Sequence, residues 1–190
     1  MSNVCAVVAL LIVVVVAGGQ EYHVSLGDEL ADADAPLVAL LFSASWCSSC
    51  TEFRGSAVQL HEQHGVPVVL LSRERNAVRH ERAVRKYGSI TAVPYMDERR
   101  QAYNAMFDVK VLPTLVLLQR VGDERYLVLD EHGYHTVLAQ GVGNAAAYWR
   151  GLLDGTVQRV NHKAAAERKQ QKTATTSGFA PLRRPEQDEL

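Results

Sequence analysis

Ser43–Cys50 reads SASWCSSC, two cysteines held apart by two serines, directly behind the apolar run LVALLF of Leu37–Phe42. That run is apolar at every position, the pattern of a strand covered on both faces. From Ser48 to His64 the pattern turns helical, with Phe53, Ala57 and Leu60 on one face and Gly65 as the stop. The cysteine pair therefore sits at a strand-to-helix junction. There the first backbone N–H groups lack helical partners and the helix dipole favours negative charge, so Cys47 is expected as the attacking thiolate. Cys50 follows one turn later on the same face, at a separation a disulfide can close, and is expected as the resolving sulfur. The chemistry this predicts is thiol–disulfide exchange through a mixed disulfide.

Outward from the junction, EYHVSL at residues 21–26 reads as a short strand and VPVVLLS at 66–72 as a second buried one. Ala77, His80, Val84 and Tyr87 recur at helical spacing until Gly88, and Asp97 is expected to cap a helix carrying Tyr103, Met106 and Phe107 toward the core. LPTLVLLQR at 112–120 is a third apolar strand. RYLVLDEHGYHTVLAQ at 125–140 reads as a hairpin turning at Glu131–Gly133, and Asn144 as the cap of a last helix that ends at Gly155. The predicted order is strand, helix, strand, helix, helix, strand, hairpin, helix. That is an α/β fold, a central mixed sheet with helices on both faces and an antiparallel edge.

A chain of 190 residues with 47% hydrophobic side chains supports one domain. Its formal net charge of -1 sets up no global field for nucleic acid or an anionic membrane. Residues 1–19 contain a continuous apolar run, Val4–Gly19, shorter than the roughly 20 residues a spanning helix needs, and small residues follow. It reads as a secretory leader, with a membrane tether through residues 4–19 as the alternative. Residues 20–155 form the folded domain, and residues 156–190 a polar tail with too few apolar side chains to offset ordering entropy. The tail ends QDEL, close to the retention signal of the endoplasmic reticulum, so the lumen of that compartment is the expected location; membrane-anchored, cytosolic and mitochondrial sites are the alternatives.

Three cysteines are too few for a disulfide scaffold, and Cys5 lies in the leader, which leaves one pair in the domain. A zinc site made with His61 and His64 fails on geometry. Along one helix, Cys50 and His61 are about 16 Å apart, whereas zinc ligands sit about 2.0–2.3 Å from the metal. No metal and no cofactor is expected. Between Arg73 and Lys86 stand six Lys or Arg and two Glu, read first as a solvated helix face, with an acidic docking surface as the sharper alternative. His80, Tyr87, Tyr148 and Trp149 are expected as packing residues.

FSASWCSSC, the downstream VVLLS, the stretch VPYMDERRQAYNAMFDVKVLPTLVLL and Gln140-Gly141 together resemble the tryparedoxin and nucleoredoxin branch of the thioredoxin superfamily, over about Glu21–Gly155. The resemblance implies a protein-disulfide oxidoreductase with Cys47 as nucleophile and Cys50 as resolving cysteine. Trp46, Ser48 and Ser49 flank the pair, and Leu112, Pro113 and Thr114 form a substrate-binding loop opposite it. An X–Pro bond is ordinarily trans, but the resemblance implies cis at Leu112-Pro113. It also implies disulfide-containing proteins as substrates and a thiol partner that resets the pair. A tryparedoxin-like electron carrier to peroxidases, or a client-binding module with idle cysteines, are the alternatives.

The sequence departs from the family at several points. Ser48 and Ser49 stand where tryparedoxins commonly have two prolines, and LVALLFSA lacks the acidic residue thioredoxins often carry there, so another group or water must move the proton. Arg73-Glu74-Arg75 replaces Trp-Asp-Glu, and the family's later Arg is replaced near Gly141 and Val142. A polycationic thiol reductant would meet Arg75, and like charge lowers affinity.

Overall fold

A computed structural model describes residues 20–30 and 35–157. The expected leader, the QDEL end and nearly all of the expected tail lie outside these residues. Among the described residues, six strands and five α-helices build the domain. In chain order they are β1 (Glu21–His23), β2 (Leu37–Ser43), α1 (Ser48–Glu62), β3 (Val68–Ser72), α2 (Ala77–Arg85), β4 (Thr91–Ala92), α3 (Arg99–Met106), β5 (Thr114–Gly122), β6 (Arg125–Asp130), α4 (Gly133–Gln140) and α5 (Val142–Leu153), with one 3-10 turn at Gly27–Glu29.

The sheet runs β1-β6-β5-β2-β3-β4. β2, β3 and β4 are parallel, while β5, β6 and β1 alternate in direction, so the mixed sheet expected from the sequence is present. Every residue of β2 is buried, because the strand has hydrogen-bonded neighbours on both edges and side-chain layers on both faces. Its alternating residues feed two cores. Leu37, Ala39 and Leu41 pack with Phe53, Ala57 and Leu60 of α1 and with Trp149 of α5. Val38, Leu40 and Phe42 pack with Tyr103 of α3 and Tyr126 of β6.

Three of the sequence expectations differ from the fold. The hairpin does not turn at Glu131–Gly133. It turns at Asp123-Glu124 between β5 and β6, and Gly133–Gln140 is helix α4. Asp130 drives that outcome, since its Oδ1 accepts the His132 N–H at 2.8 Å and its Oδ2 accepts both the Thr136 hydroxyl and Trp149 Nε1. Gly133 lets α4 close on the sheet, because a Cβ there would lie 2.5 Å from Leu117 Cδ2 and 2.9 Å from the Leu115 carbonyl. The last helix begins earlier than Asn144, at Val142 behind Gly141 (φ 80°), and Asn144 instead donates to the Gln140 carbonyl. Met106 is 37% exposed rather than in the core. The two-residue strand β4 was too short to show in the pattern. Asp97 does bind the start of α3, accepting the Arg99 N–H at 2.8 Å, although Glu98 holds the cap position.

Candidate active site

The carboxyl ends of β2 and β3, two adjacent parallel strands, carry the loops that meet at the cysteine pair. Cys47 is the N-cap of α1, with extended backbone (φ -99°, ψ 119°), and its sulfur accepts the Cys50 backbone N–H at 3.3 Å. A cap acceptor of this kind satisfies one of the helix's free donors, and the bond strengthens as the acceptor gains negative charge. Across the site the Cys47 Sγ lies 3.6 Å from the Leu112 carbonyl, to which its thiol donates. The Leu112-Pro113 bond is cis, as the resemblance implied. Pro113 is buried, and the Thr114 hydroxyl donates to the Val111 carbonyl at 2.8 Å, closing the loop on itself.

Cys47 is half-buried and Cys50 is buried, and both thiols are free. Trp46 is 53% exposed, with the Arg75 guanidinium over its ring at 5.8 Å, and Ser48 is exposed beside it. Ser49 is half-buried. Trp46, Ser48, Ser49 and Cys50 thus lie at the same strand-to-helix junction as Cys47, and the cis-proline loop reaches the Cys47 sulfur through the Leu112 carbonyl.

Cys50 faces the other way. Burial, then its hydrogen bond with Cys47, pushes its thiol up to about 11, while contacts with the Ala44 backbone and the Ser43 hydroxyl pull weakly in the opposite sense. Ser43 is itself buried and its hydroxyl lies 2.7 Å from the Tyr87 hydroxyl. Tyr87 is held above the ordinary tyrosine range, chiefly by burial. Cys50, Ser43 and Tyr87 line a narrow cleft that also takes in Arg54 and Lys86. With no acid on β2, this hydroxyl pair supplies the polar groups beneath the second sulfur. Tyr87 reads from the sequence as a packing residue, and only the fold shows its hydroxyl meeting Ser43.

A further set escaped sequence reading altogether. Buried Glu74 accepts the Ser45 N–H at 2.5 Å, which ties the loop before Cys47 to the loop after β3. Arg100 holds that second loop from α3, donating to the carbonyls of Ser72 (2.9 Å through Nε), Glu74 (3.3 Å) and Tyr95, and stacking on the Tyr95 ring at 4.7 Å. Tyr95 in turn donates to the Arg75 carbonyl at 2.8 Å. A helix arginine with these backbone and ring partners has no sequence signature, because the Ser72 and Glu74 carbonyls lie 28 and 26 residues away in the chain. Among the described residues no three metal-binding side chains gather, and no helix is long and apolar enough to cross a membrane.

Residues 36–124 match the Thioredoxin-like family model. The chain has the thioredoxin-like fold and is similar to tryparedoxins and to nucleoredoxin. A nucleoredoxin from Xenopus laevis is 28% identical over 118 residues, covering 57% of this chain and 28% of that protein, so the chain spans little more than a quarter of its relative. Tryparedoxin I from Leishmania major superposes with a TM-score of 0.54 at 20% identity, covering 60% of this chain and 80% of that one. Native tryparedoxin I from Crithidia fasciculata gives 0.51 at 23%, covering 58% and 78%. At these identities the superpositions establish the thioredoxin-like fold.

Proposed function

We propose that this thioredoxin-like protein exchanges disulfides with protein substrates through Cys47 and Cys50. The observation that carries the reading is the asymmetry of the pair: Cys47 caps α1 beside the cis-proline loop, and Cys50 is buried one turn below it. The Cys47 thiolate attacks one sulfur of a substrate disulfide, forming a mixed disulfide and releasing the other substrate sulfur as a thiolate that takes up a proton. Cys50 then loses its proton toward Ser43 and attacks the Cys47 sulfur. The Cys47–Cys50 disulfide forms, and the second substrate sulfur leaves and is protonated. Two electrons and two protons pass to the substrate, and an external thiol partner returns the pair to the dithiol.

The high Cys50 pKa makes the second step the one that needs help. At pH 7 about one Cys50 in 10⁴ would ionise unaided. Ser43 and Tyr87 form a path of hydroxyls from the sulfur to the cleft, along which the proton can move as the new S–S bond forms. The Leu112-Pro113 loop faces the sulfur with main-chain groups that an extended substrate can pair with in strand fashion.

Cys50→Ser tests the reading. In the presence of a disulfide substrate it accumulates a Cys47 mixed disulfide that mass spectrometry identifies and a reductant releases. A module that merely holds clients, which exposed Trp46 and Val111 also favour, binds its client without that covalent product.

A further inference from the structure

Arg79 and Arg82 on α2 recur with Lys86 at spacings of three and four, which puts all three on one side of the helix axis. Lys86 fixes where that side faces, because it lines the cleft that holds Cys50, together with Arg54 of α1. At the other end of the same segment Arg75 lies over Trp46, the residue before Cys47. The cationic stripe therefore starts at one sulfur's flank and ends at the other's.

Its charges are not spent within the domain. Among the described residues, no carboxylate lies within 4.0 Å of Arg54, Arg75, Arg79, Arg82, Arg85 or Lys86. Of the two acids in the segment, Glu74 is buried and bonded to Ser45, and Glu81 lies on the flank of α2 beyond Arg85, away from the cleft. The neighbouring helix α1 carries two exposed acids, Glu52 and Glu62, and Glu62 accepts the Ser89 hydroxyl at 2.7 Å beyond the end of α2. A solvated helix face ordinarily mixes signs at i, i+3 and i+4, whereas this side carries one sign throughout.

We propose that this stripe docks an acidic segment of the disulfide-bearing protein substrate and so selects which disulfides reach Cys47. The inference rests on the oxidoreductase reading for what the docked partner brings. A protein is favoured over nucleic acid because the stripe borders the redox pair, while the chain as a whole carries a net charge of -1 and offers no wider field for a polyanion. Charge pairing across such a surface acts mainly on the association rate and weakens with salt.

The test uses two peptide disulfides that differ only in carrying a run of Asp and Glu, or of Asn and Gln, beside the cystine, with uncharged hydroxyethyl disulfide as reference. At about 0.02 M salt the acidic peptide should be reduced with kcat/KM about tenfold above its neutral twin, and the ratio should fall toward one by about 0.5 M. Arg79→Glu with Arg82→Glu, both exposed and outside the reacting groups, should erase or invert the ratio while hydroxyethyl disulfide turnover stays unchanged. A ratio near one at low salt, with hydroxyethyl disulfide reduced normally, overturns the docking surface and leaves the oxidoreductase reading standing. If no disulfide is reduced at all, that reading fails, and binding of the same two peptides with their cysteines alkylated, followed by anisotropy, still decides the surface. Tighter binding of a random single-stranded oligonucleotide than of the acidic peptide, lost in the double variant, would assign the stripe to nucleic acid and overturn the proposal.

Discussion

Cys47 and Cys50 stand one helical turn apart in opposite surroundings. Cys47 meets solvent, a helix N-terminus and a main-chain carbonyl from another loop. Cys50 is 1% exposed and lies over two buried hydroxyls. The contrast shows how a two-residue spacing yields two different reagents. The helix start displays the first sulfur to a partner and the sheet face withholds the second until an electrophile arrives beside it. The local backbone alone makes the first environment. The second needs α2, which reaches Cys50 only because β3 pairs with β2 and returns the chain to the same side.

The sharpest way to break the comparison is to remove each sulfur in turn. Cys47→Ser should abolish reduction of an insulin-type protein disulfide, a loss of about 10³-fold or more, and leave no covalent adduct. Cys50→Ser should lose steady turnover to a similar degree yet trap substrate, so that the two variants look alike by rate and unlike by mass. If both trap equally, the roles are not divided.

Next comes the hydroxyl pair. Tyr87→Phe should slow release from the mixed disulfide by about 10²-fold, the lower end of what a positioned proton path contributes, and shift the pH profile of that step upward. The first attack, measured as alkylation of Cys47, should not change. A variant that slows both steps equally, or that merely lowers the thermal midpoint, would make Tyr87 a packing residue after all.

The scaffold under Cys47 can be loosened separately. Arg100→Ala removes charged donors from the carbonyls of Ser72, Glu74 and Tyr95 and should cost about 2–3 kcal/mol in a urea titration. Proton linkage sharpens the other side. Because the folded state holds the Cys50 proton more tightly than the unfolded chain, stability of the dithiol form should fall as pH rises from about 9 to about 11, by no more than about 1.4 kcal/mol per unit. The slope should be smaller in Cys50→Ala, where that group is gone.

Much of the Cys47 side was legible in the sequence, because its causes are local. A both-faces-apolar strand, a helix period and a CxxC at their junction lie within 30 residues, and family resemblance supplied the facing proline loop. The Cys50 side was legible only in part. The absence of an acid on β2 was plain, but what replaces it sits 37 residues beyond Cys50 on an element whose apolar spacing explains Tyr87 without its hydroxyl. The same blindness hid Arg100 and Glu74, whose partners belong to other loops. It also produced the false hairpin, where Tyr134, Thr136 and Val137 favour a strand locally and the Asp130 cap with the close approach at Gly133 favours a helix.

The difference between the two sulfurs is measured most directly by their alkylation rates in the reduced wild-type protein at pH 7, read residue by residue by mass spectrometry. Cys47 should react faster than an ordinary peptide thiol and at least about 100-fold faster than Cys50. A Cys47 no faster than the peptide, or a Cys50 that reacts alongside it, would contradict the division on which the proposed function stands.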